Sequence, residues 1–500
     1  MDQSTKEKIS QFLSQCNYTE AARICHEQLK DNPDDLSSGW MLGVILLLQE
    51  KNEEATCLFF EIIANNNPEA NLQITETLTW DLVIFLEQAA VESLSSNRFR
   101  DAELLYRQIL ELIPAHHAAL INLSMLMRIT FHYTAALEFI EQVLSIHENS
   151  YIAYLEMART YQGMGQPVAA VNALKKSLLI KPDHPPTHQL LREIQMSSAA
   201  KWHYLMMNDL ERNLAYQKAI EAAVDHNSVV FEIGTGSGLL AMMAARAGAA
   251  RVITCESNEM IAAKAQSIIQ RNGYQDKIQV ITSHSNSLKP ETLGVSPDVI
   301  VHEIFGMNLV DEGVISALDH TLTKLAHPQA KLIPASATFW ARLIECDSLR
   351  KQILVDKVCN FDLSLFNEFS WPYIIKSQVD NYSYRWLSPL VRVADIDFTK
   401  IPFQAVDKVI ELPVTQAGNC HGVCYWFDLY LNEQIILTSG PKQQNKYQAS
   451  HWGQIAQLFE PCFYVSVDQI LRFQFQLTSQ LLTMSYLPSS GNAESGIYCY

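Results

Sequence analysis

Basic residues are scarce in this chain of 500 residues: 37 lysines and arginines stand against 54 aspartates and glutamates, a formal net charge of -17. That deficit argues against direct nucleic-acid binding, because phosphate contact needs basic surface. An acidic surface suits a basic partner, and it also serves solubility alone. Long apolar runs are missing too. The longest strongly apolar one, Trp40 to Leu48, is far too short to span a bilayer, so no membrane is expected. The opening M-D-Q-S-T-K-E-K-I-S shows no apolar core of a signal peptide. The ten cysteines form no regular framework, which fits a reducing compartment and predicts a cytoplasmic protein, with the nucleus as the alternative. Their one tight cluster, Cys420-His421-x-x-Cys424, has no further ligands near it, so it reads as a strand and its turn and no metal is expected. What is present is a globular composition, 48% hydrophobic and 18% charged. A chain of this length accommodates roughly two to four domains with large cores.

The first 186 residues carry a repeat. Alanines recur at Ala21, Ala55, Ala102, Ala136 and Ala170, with gaps of 34, 47, 34 and 34. Four residues after each comes Cys25, Phe59, Tyr106, Ile140 or Leu174. Small residues stand twelve before the last four, at Gly43, Ala90, Ser124 and Ala158. Pro33, Pro114 and Pro182 follow three of the alanines by twelve. Small residues let two helices approach and proline ends the second of them. The pattern resembles tetratricopeptide repeats and predicts an α-helical solenoid over residues 1–186. The 13-residue excess, near Glu69 to Asp81, is expected to lengthen a connection. A solenoid offers a concave face to a partner, or it braces its neighbour.

H-P-P-T-H at 184–188 marks a boundary, with a linker helix expected over 187–200. Strand and helix then alternate: Ser228–Ile233, Gly238–Ala247, Arg251–Glu256, Met260–Asn272, Lys277–Thr282 and Pro297–Glu303. That is an open parallel α/β sheet over 201–335. Beyond about Ser336, stretches such as Gly422–Leu431 and Ile470–Leu477 read as antiparallel β, a barrel or a sandwich.

Two sites stand out. The strand-turn-helix V-V-F-E-I-G-T-G-S-G-L-L-A places Gly234, Gly236 and Gly238 where backbone can turn tightly and approach a ligand. A dinucleotide fingerprint wants a small residue at 239, which is Leu239. The spacing instead resembles the nucleoside turn of class I methyltransferases, which bind S-adenosylmethionine. Glu256, ending the next strand, suits the ribose hydroxyls. The second site is V-I-V-H-E-I-F-G-M-N-L-V-D-E-G-V-I. Its Glu303 and Glu312 lie nine apart, an odd spacing that sends them to opposite faces of a helix or strand. They converge only if the chain turns back, and Gly306 permits that turn. Two carboxylates at one spot need a cation between them, and a planar guanidinium fits.

W-H-Y-L-M-M-N-D-L-E-R-N-L-A-Y-Q-K-A-I, the glycine turn, the paired glutamates and S-H-W-G-Q at 450–454 agree in order and spacing with the protein arginine N-methyltransferases. The chain resembles that family over about Lys201 to Leu487; with tetratricopeptide repeats in front it is most similar to the type 9 members, while N-D-L-E-R-N and D-E-G-V-I are equally similar to the type 7 members. The resemblance implies a Rossmann-like S-adenosylmethionine-binding domain at 201–335 and a β-barrel substrate and dimerisation domain at 336–500. It implies methyl transfer to arginine in a protein substrate, one the repeats would recruit. Such relatives usually carry two methyltransferase modules, and this chain has one, so a homodimer is expected. The resemblance also assigns residues. Arg212 would bind the methionine carboxylate with His203 beside it; Gly234, Gly236 and Glu256 would hold the methionine portion and ribose; Asn286 would read the adenine amine. Glu303 and Glu312 would clamp the substrate, His451 would pair with Asp209, and Met206 and Trp452 would shape the guanidinium pocket. Phe361-Asp362-Leu363-Ser364 and Trp426-Phe427-Asp428 are similar to the family's barrel, and Trp371 to Trp386 to its dimerisation arm. The competing readings are a non-catalytic adaptor on a methyltransferase scaffold and a small-molecule methyltransferase of the same fold.

Overall fold

The computed structural model describes residues 1–65, 72–198, 200–306 and 308–488. They fall into two compact units, Met1–Met196 and Ser197–Tyr500. The first is all helix: α1 Gln3–Ser14, α2 Tyr18–Asp31, α3 Leu36–Leu48, α4 Asn52–Asn65, α5 Leu72–Ser95, α6 Phe99–Leu112, α7 His117–Ile129, α8 Tyr133–Ile146, α9 Tyr151–Gly163, α10 Pro167–Ile180 and α11 Pro185–Ser198.

Successive helices pair as hairpins, and the repeat positions explain why. Ala21, Ala55, Ala102, Ala136 and Ala170 are all fully buried, as are Ala90, Ser124 and Ala158. A side chain on Gly43 would collide with the Phe59 ring, so one repeat's small position receives its bulky one. Pro33, Pro114 and Pro182 each stand two residues past the end of α2, α6 and α10, where no helix has to continue. Short polar side chains start several helices: Asn17 accepts from the Glu20 N–H and Ser150 from the Ala153 N–H.

Two expectations are corrected here. The excess residues do not simply lengthen a connection: those from Leu72 onward belong to the 24-residue helix α5, while 66–71 lie outside the described residues. The expected linker helix is α11, which begins at Pro185 and buries Thr187, Leu190 and Ile194. Up to Met196 it belongs to the first compact unit instead of spacing it from the next.

The second unit opens with α12 Trp202–Met207 and α13 Leu210–Ala223. The sheet follows: β1 Val229–Ile233, β2 Arg251–Glu256, β3 Ile278–Thr282, β4 Val299–His302 and β5 Lys331–Ile333. The order is β3-β2-β1-β4-β5, all parallel, with helices α14 Leu239–Arg246 and α15 Glu259–Arg271 in the crossovers. The apolar runs of the strands bury both faces, as a covered parallel sheet requires.

From β6, Ser336–Glu345, the chain builds mostly antiparallel ladders. The strand Gly418–Tyr430 pairs with β6 on one side and with Gln454–Val465 on the other. The ladders do not close into the expected barrel. They form an eight-stranded sheet, a three-stranded one made of Val406–Pro413, Ile470–Leu477 and Leu482–Leu487, and a two-stranded ladder of Lys357–Val358 with Phe361–Asp362. Register breaks between Cys420 and Gly422, and Pro461 has no N–H to give a ladder. The sheets are instead joined by side chains: Phe473 stacks on Phe459, and Phe475 meets Phe339 at 5.8 Å. No described helix is long and apolar enough to cross a membrane.

The repeat packing makes a direct prediction. Leucine at Ala170 forces extra volume into a filled helix–helix contact and should cost about 1–3 kcal/mol. Denaturant unfolding should show a lower midpoint for the helical unit; an unchanged midpoint contradicts the packing described.

Candidate active site

In the order β3-β2-β1-β4-β5 the sheet reverses direction of growth between β1 and β4, and ligands settle at the carboxyl edge beside such a point. The glycine turn leaves β1 there. Gly234 and Gly236 have φ of 86° and 51°, values that L side chains rarely adopt. The N–H groups of Gly234 and Thr235 both donate to the Cys255 carbonyl at 3.0 Å, tying the turn to β2. Glu256 ends β2. Its carboxylate accepts from the Gly236 N–H at 3.1 Å and from the Asn258 N–H at 2.9 Å. Each oxygen keeps lone-pair capacity for a hydroxyl donor.

Beneath the turn a hydroxyl chain is buried. Thr235 and Thr254 share a 2.7 Å hydrogen bond, and Thr254 donates to Glu232 at 2.7 Å. Burial pushes the Glu232 carboxyl up to about 8; Thr254 and nearby Arg212 oppose the rise without cancelling it.

The two glutamates do converge. Glu303 follows the last residue of β4, and Glu312 precedes the helix Val314–His320. A side chain on Gly306 would strike the Asp311 carboxylate, so glycine is needed here for close approach and not for a left-handed backbone. Met307 lies outside the described residues. Glu303 is ion-paired with Arg212 of α13, and both side chains are nearly inaccessible. Burial lowers the Arg212 pKa, with Tyr216, Glu232 and Asp209 opposing. Glu312 opens to the pocket; desolvation and then Asp311 raise its carboxyl, and Lys376 opposes.

Behind Glu303 stands His451. Its Nδ1 is 2.9 Å from Asp209 Oδ2 and its Nε2 is 3.5 Å from Glu303 Oε1. Asp209 also caps α13 through the Arg212 N–H at 3.1 Å and accepts from Ser450 Oγ at 3.1 Å. Burial raises Asp209, but hydrogen bonds from His451 and two backbone N–H groups outweigh it and hold the carboxyl below its ordinary value. Burial also lowers the His451 pKa, against the opposing pull of Asp209. Burial outweighs that pull and favours a neutral imidazole, and the ionised Asp209 fixes its tautomer, with Nδ1–H pointing at Asp209 and Nε2 toward Glu303.

A pocket of about 440 Å³ unites most of the expected residues. Gly234, Gly236, Glu256, His203 and Asn286 line one part of it; Met206, Glu303 and Glu312 line another. The volume falls within the usual range of about 300–1,000 Å³ for cofactor sites. Asn286 spends its amide nitrogen on Ser316 Oγ at 2.8 Å, which leaves its carbonyl to accept from an amine. The donors and acceptors suit an adenosyl group. Among the described residues, no group of three or more His, Cys, Asp and Glu is placed to hold a metal ion.

Two of the expected residues stand off the pocket. Arg212 does not line the pocket; it lies behind Glu303 and spends its charge there. Trp452 does not line it either. It is buried against Phe427 at 5.0 Å and His451 at 4.7 Å, so it anchors the loop that carries the histidine. Sequence reading also missed Tyr216, Glu232 and Lys376. A carboxylate inside the apolar run V-V-F-E-I was the available signal for Glu232; Tyr216 and Lys376 carried none.

Residues 335–482 match the family model of the arginine methyltransferase oligomerization subdomain. Residues 216–334 match that of ribosomal protein L11 methyltransferase (PrmA), and 131–194 a tetratricopeptide repeat. Arginine N(omega)-methyltransferase of Streptomyces achromogenes subsp. streptozoticus is 32% identical over 302 residues, covering 59% of this chain and 82% of that protein. Protein arginine N-methyltransferase 9 of Xenopus laevis is 25% identical over 308 residues, 55% of this chain and 37% of the relative. Protein arginine N-methyltransferase 7 of Danio rerio is 29% identical over 273 residues, 47% and 38%. The chain therefore spans most of the bacterial relative and well under half of the two vertebrate ones. The Trypanosoma brucei PRMT1 enzyme–prozyme heterotetrameric complex with AdoHcy has a chain similar in fold, with a TM-score of 0.50 at 20% identity, over 59% of this chain and 96% of that one. At 32% identity across four-fifths of a complete relative, with the glycine turn and both glutamates on one pocket, the chain belongs to the arginine N-methyltransferase family.

Proposed function

We propose that this chain transfers a methyl group from S-adenosylmethionine to a terminal guanidino nitrogen of arginine in a protein, which the repeat unit helps to present. The observation that carries the reading is the return of one loop on itself, which sets Glu303 and Glu312 on the same pocket as the glycine turn and Glu256. The cofactor, when bound, supplies an electrophilic sulfonium methyl. Gly234, Gly236 and Glu256 would hold its methionine portion and ribose, with Asn286 at the adenine amine and His203 alongside.

Guanidinium is a poor nucleophile because its lone pairs are delocalised and its pKa exceeds about 12. Glu312, with no buried arginine spent on it, draws the positive charge toward its own side of the group. Glu303 accepts from the other side and fixes the orientation of the reacting nitrogen. As the new N–C bond forms and the sulfur–carbon bond breaks, that nitrogen must lose a proton. Glu303 faces His451 Nε2 at 3.5 Å, and Asp209 stabilises the imidazolium that results.

A second reading concerns the acceptor alone. The relative covered over most of its length is named for arginine, not for protein arginine. On that reading the free amino acid is the substrate.

Labelled methyl transfer decides among these. Whole protein, a short peptide from it and free arginine are offered in parallel. A higher kcat/KM for whole protein than for its peptide supports presentation by the repeats; equal values remove it, and free arginine as the best acceptor favours the second reading. Glu303→Gln and Glu312→Gln should each lower turnover about 10²-fold, as loss of charge-directed stabilisation does, with little change in cofactor affinity. Near-normal turnover in either variant refutes the clamp.

The pH profile tests the proton path. His451 must be neutral to accept, and burial holds its pKa below the ordinary value of about 6.5. Activity should therefore fall on the acid side only as pH drops below about 6.5. Asp209→Asn keeps a capping side chain but removes the charge that raises His451, so the acid limb should move to lower pH. A limb that moves to higher pH contradicts the assignment.

The chain is also proposed to act as a homodimer. Phe361, Leu365 and Phe369 are 72%, 81% and 83% exposed within the matched oligomerization subdomain. Three apolar side chains this open on one segment mark an interaction surface. Sedimentation at micromolar concentration should show a dimer that Phe369→Asp dissociates; a monomeric parent chain rules the surface out.

A further inference from the structure

Glu303 sits where the sheet gives out. The pairing of β4 with β5 ends at Val301 and Ile333, and its pairing with β1 ends at Ile233 and His302. The next residue is Glu303, already in irregular chain. A carboxylate at a frayed strand end is poorly placed for work that needs its oxygens aimed to within a few tenths of an ångström. Something outside the sheet has to hold it.

Tyr216 meets that need twice. It is fully buried on α13, and its phenol donates to the His302 carbonyl at 3.0 Å. That carbonyl and the Glu303 N–H belong to one planar peptide unit, so fixing the oxygen fixes the plane from which the Glu303 side chain departs. Its ring lies under Arg212, whose guanidinium carbon is 5.0 Å from the ring centroid. The two residues are one helical turn apart, so their side chains meet on one face of α13. Arg212 in turn is ion-paired with the Glu303 carboxylate. One side chain therefore bears on the backbone and on the charged end of the same glutamate.

We propose that Tyr216 is a positioning residue that holds Glu303 in its working orientation, through the His302 carbonyl on one side and through Arg212 on the other. The inference rests on the functional reading above, in which Glu303 orients the substrate guanidinium. Burial raises the phenol pKa further, with Arg212 opposing, so the hydroxyl stays a donor across the pH range of any assay.

The bland alternative is that Tyr216 fills the core under α13. The two ideas separate in a double-mutant cycle on the full-length chain. Tyr216→Phe keeps the ring under Arg212 and deletes only the hydroxyl. It should lower kcat about 10-fold while leaving the dissociation constant for S-adenosylmethionine within about twofold. In a Glu303→Gln background the same substitution should change kcat by less than about twofold, because the group it positions has already lost its charge. Tyr216→Leu, which also removes the ring, should lose more kcat than Tyr216→Phe. An equal loss in both backgrounds shows that Tyr216 acts independently of Glu303 and overturns the proposal. So does an unchanged kcat in a folded Tyr216→Phe chain, and so does a Tyr216→Phe chain that fails to fold, since the hydroxyl then serves the core. A parent chain that methylates no form of arginine removes the functional reading and this inference together; an active parent with a failed cycle removes this inference alone.

Discussion

The site depends on one buried arginine. Arg212 lies almost out of reach of water, and an unpaired guanidinium there costs several kcal/mol. The structure meets that cost locally. Glu303 takes the charge directly, Asp209 caps the helix through the Arg212 N–H, and the ring of Tyr216 faces the guanidinium. Each partner belongs to a different stretch of chain: the segment just after β4, the turn before α13, and α13 itself. The ion pair thus fastens the helix to the end of the strand from which the glutamate loop departs. His451 comes from the antiparallel sheets, more than two hundred residues further on, and closes the same cluster through Asp209. The charged cluster behind a pocket at the edge of one sheet is in this way completed by a loop of another.

The same economy appears around the glycine turn. Thr235, Thr254 and Glu232 form a dry chain of hydroxyls beneath the backbone that approaches the cofactor pocket. A protonated carboxyl at the bottom adds no charge to a region that already holds Arg212, Glu303 and Asp209. Burial, with nearby Glu256 adding to it, is what raises that carboxyl.

Much of this was legible in the sequence, and the reasons differ by element. The repeat showed because every unit needs a side chain no larger than a methyl at the same crossing, and Ala102, Ala136 and Ala170 keep the period. The parallel sheet showed because β1, β2 and β4 are apolar runs ended by a glycine or an acid, at Gly234, Glu256 and Glu303. The excess between Ala55 and Ala102 was misread because a longer helix and a longer connection have the same residue count. Barrel closure was not legible, since it depends on which distant strands share ladder hydrogen bonds and the local alternation of Ile470–Leu477 is the same either way. Trp452 was placed in the pocket by the family resemblance. One step along a tight loop was enough to turn its ring into the core instead. The Arg212–Glu303 pair had no local signature at all: 91 residues separate its members, and only the packing of α13 on β4 brings them together.

That pair makes the two glutamates unequal, which their symmetry in the sequence hides. Glu303 is already shared between Arg212 and His451, so it offers a substrate geometry more than charge. Glu312 is open to the pocket, with Asp311 beside it and Lys376 the cation that opposes them. A guanidinium entering between them meets a carboxylate whose charge is largely spoken for on one side and one that is largely free on the other. Its positive charge is drawn toward Glu312. The nitrogen facing Glu303 is left the more electron-rich, and it is the one within reach of a proton path through His451. In the proposed clamp the asymmetry would decide which nitrogen reacts, and it originates in Arg212, which stands behind Glu303.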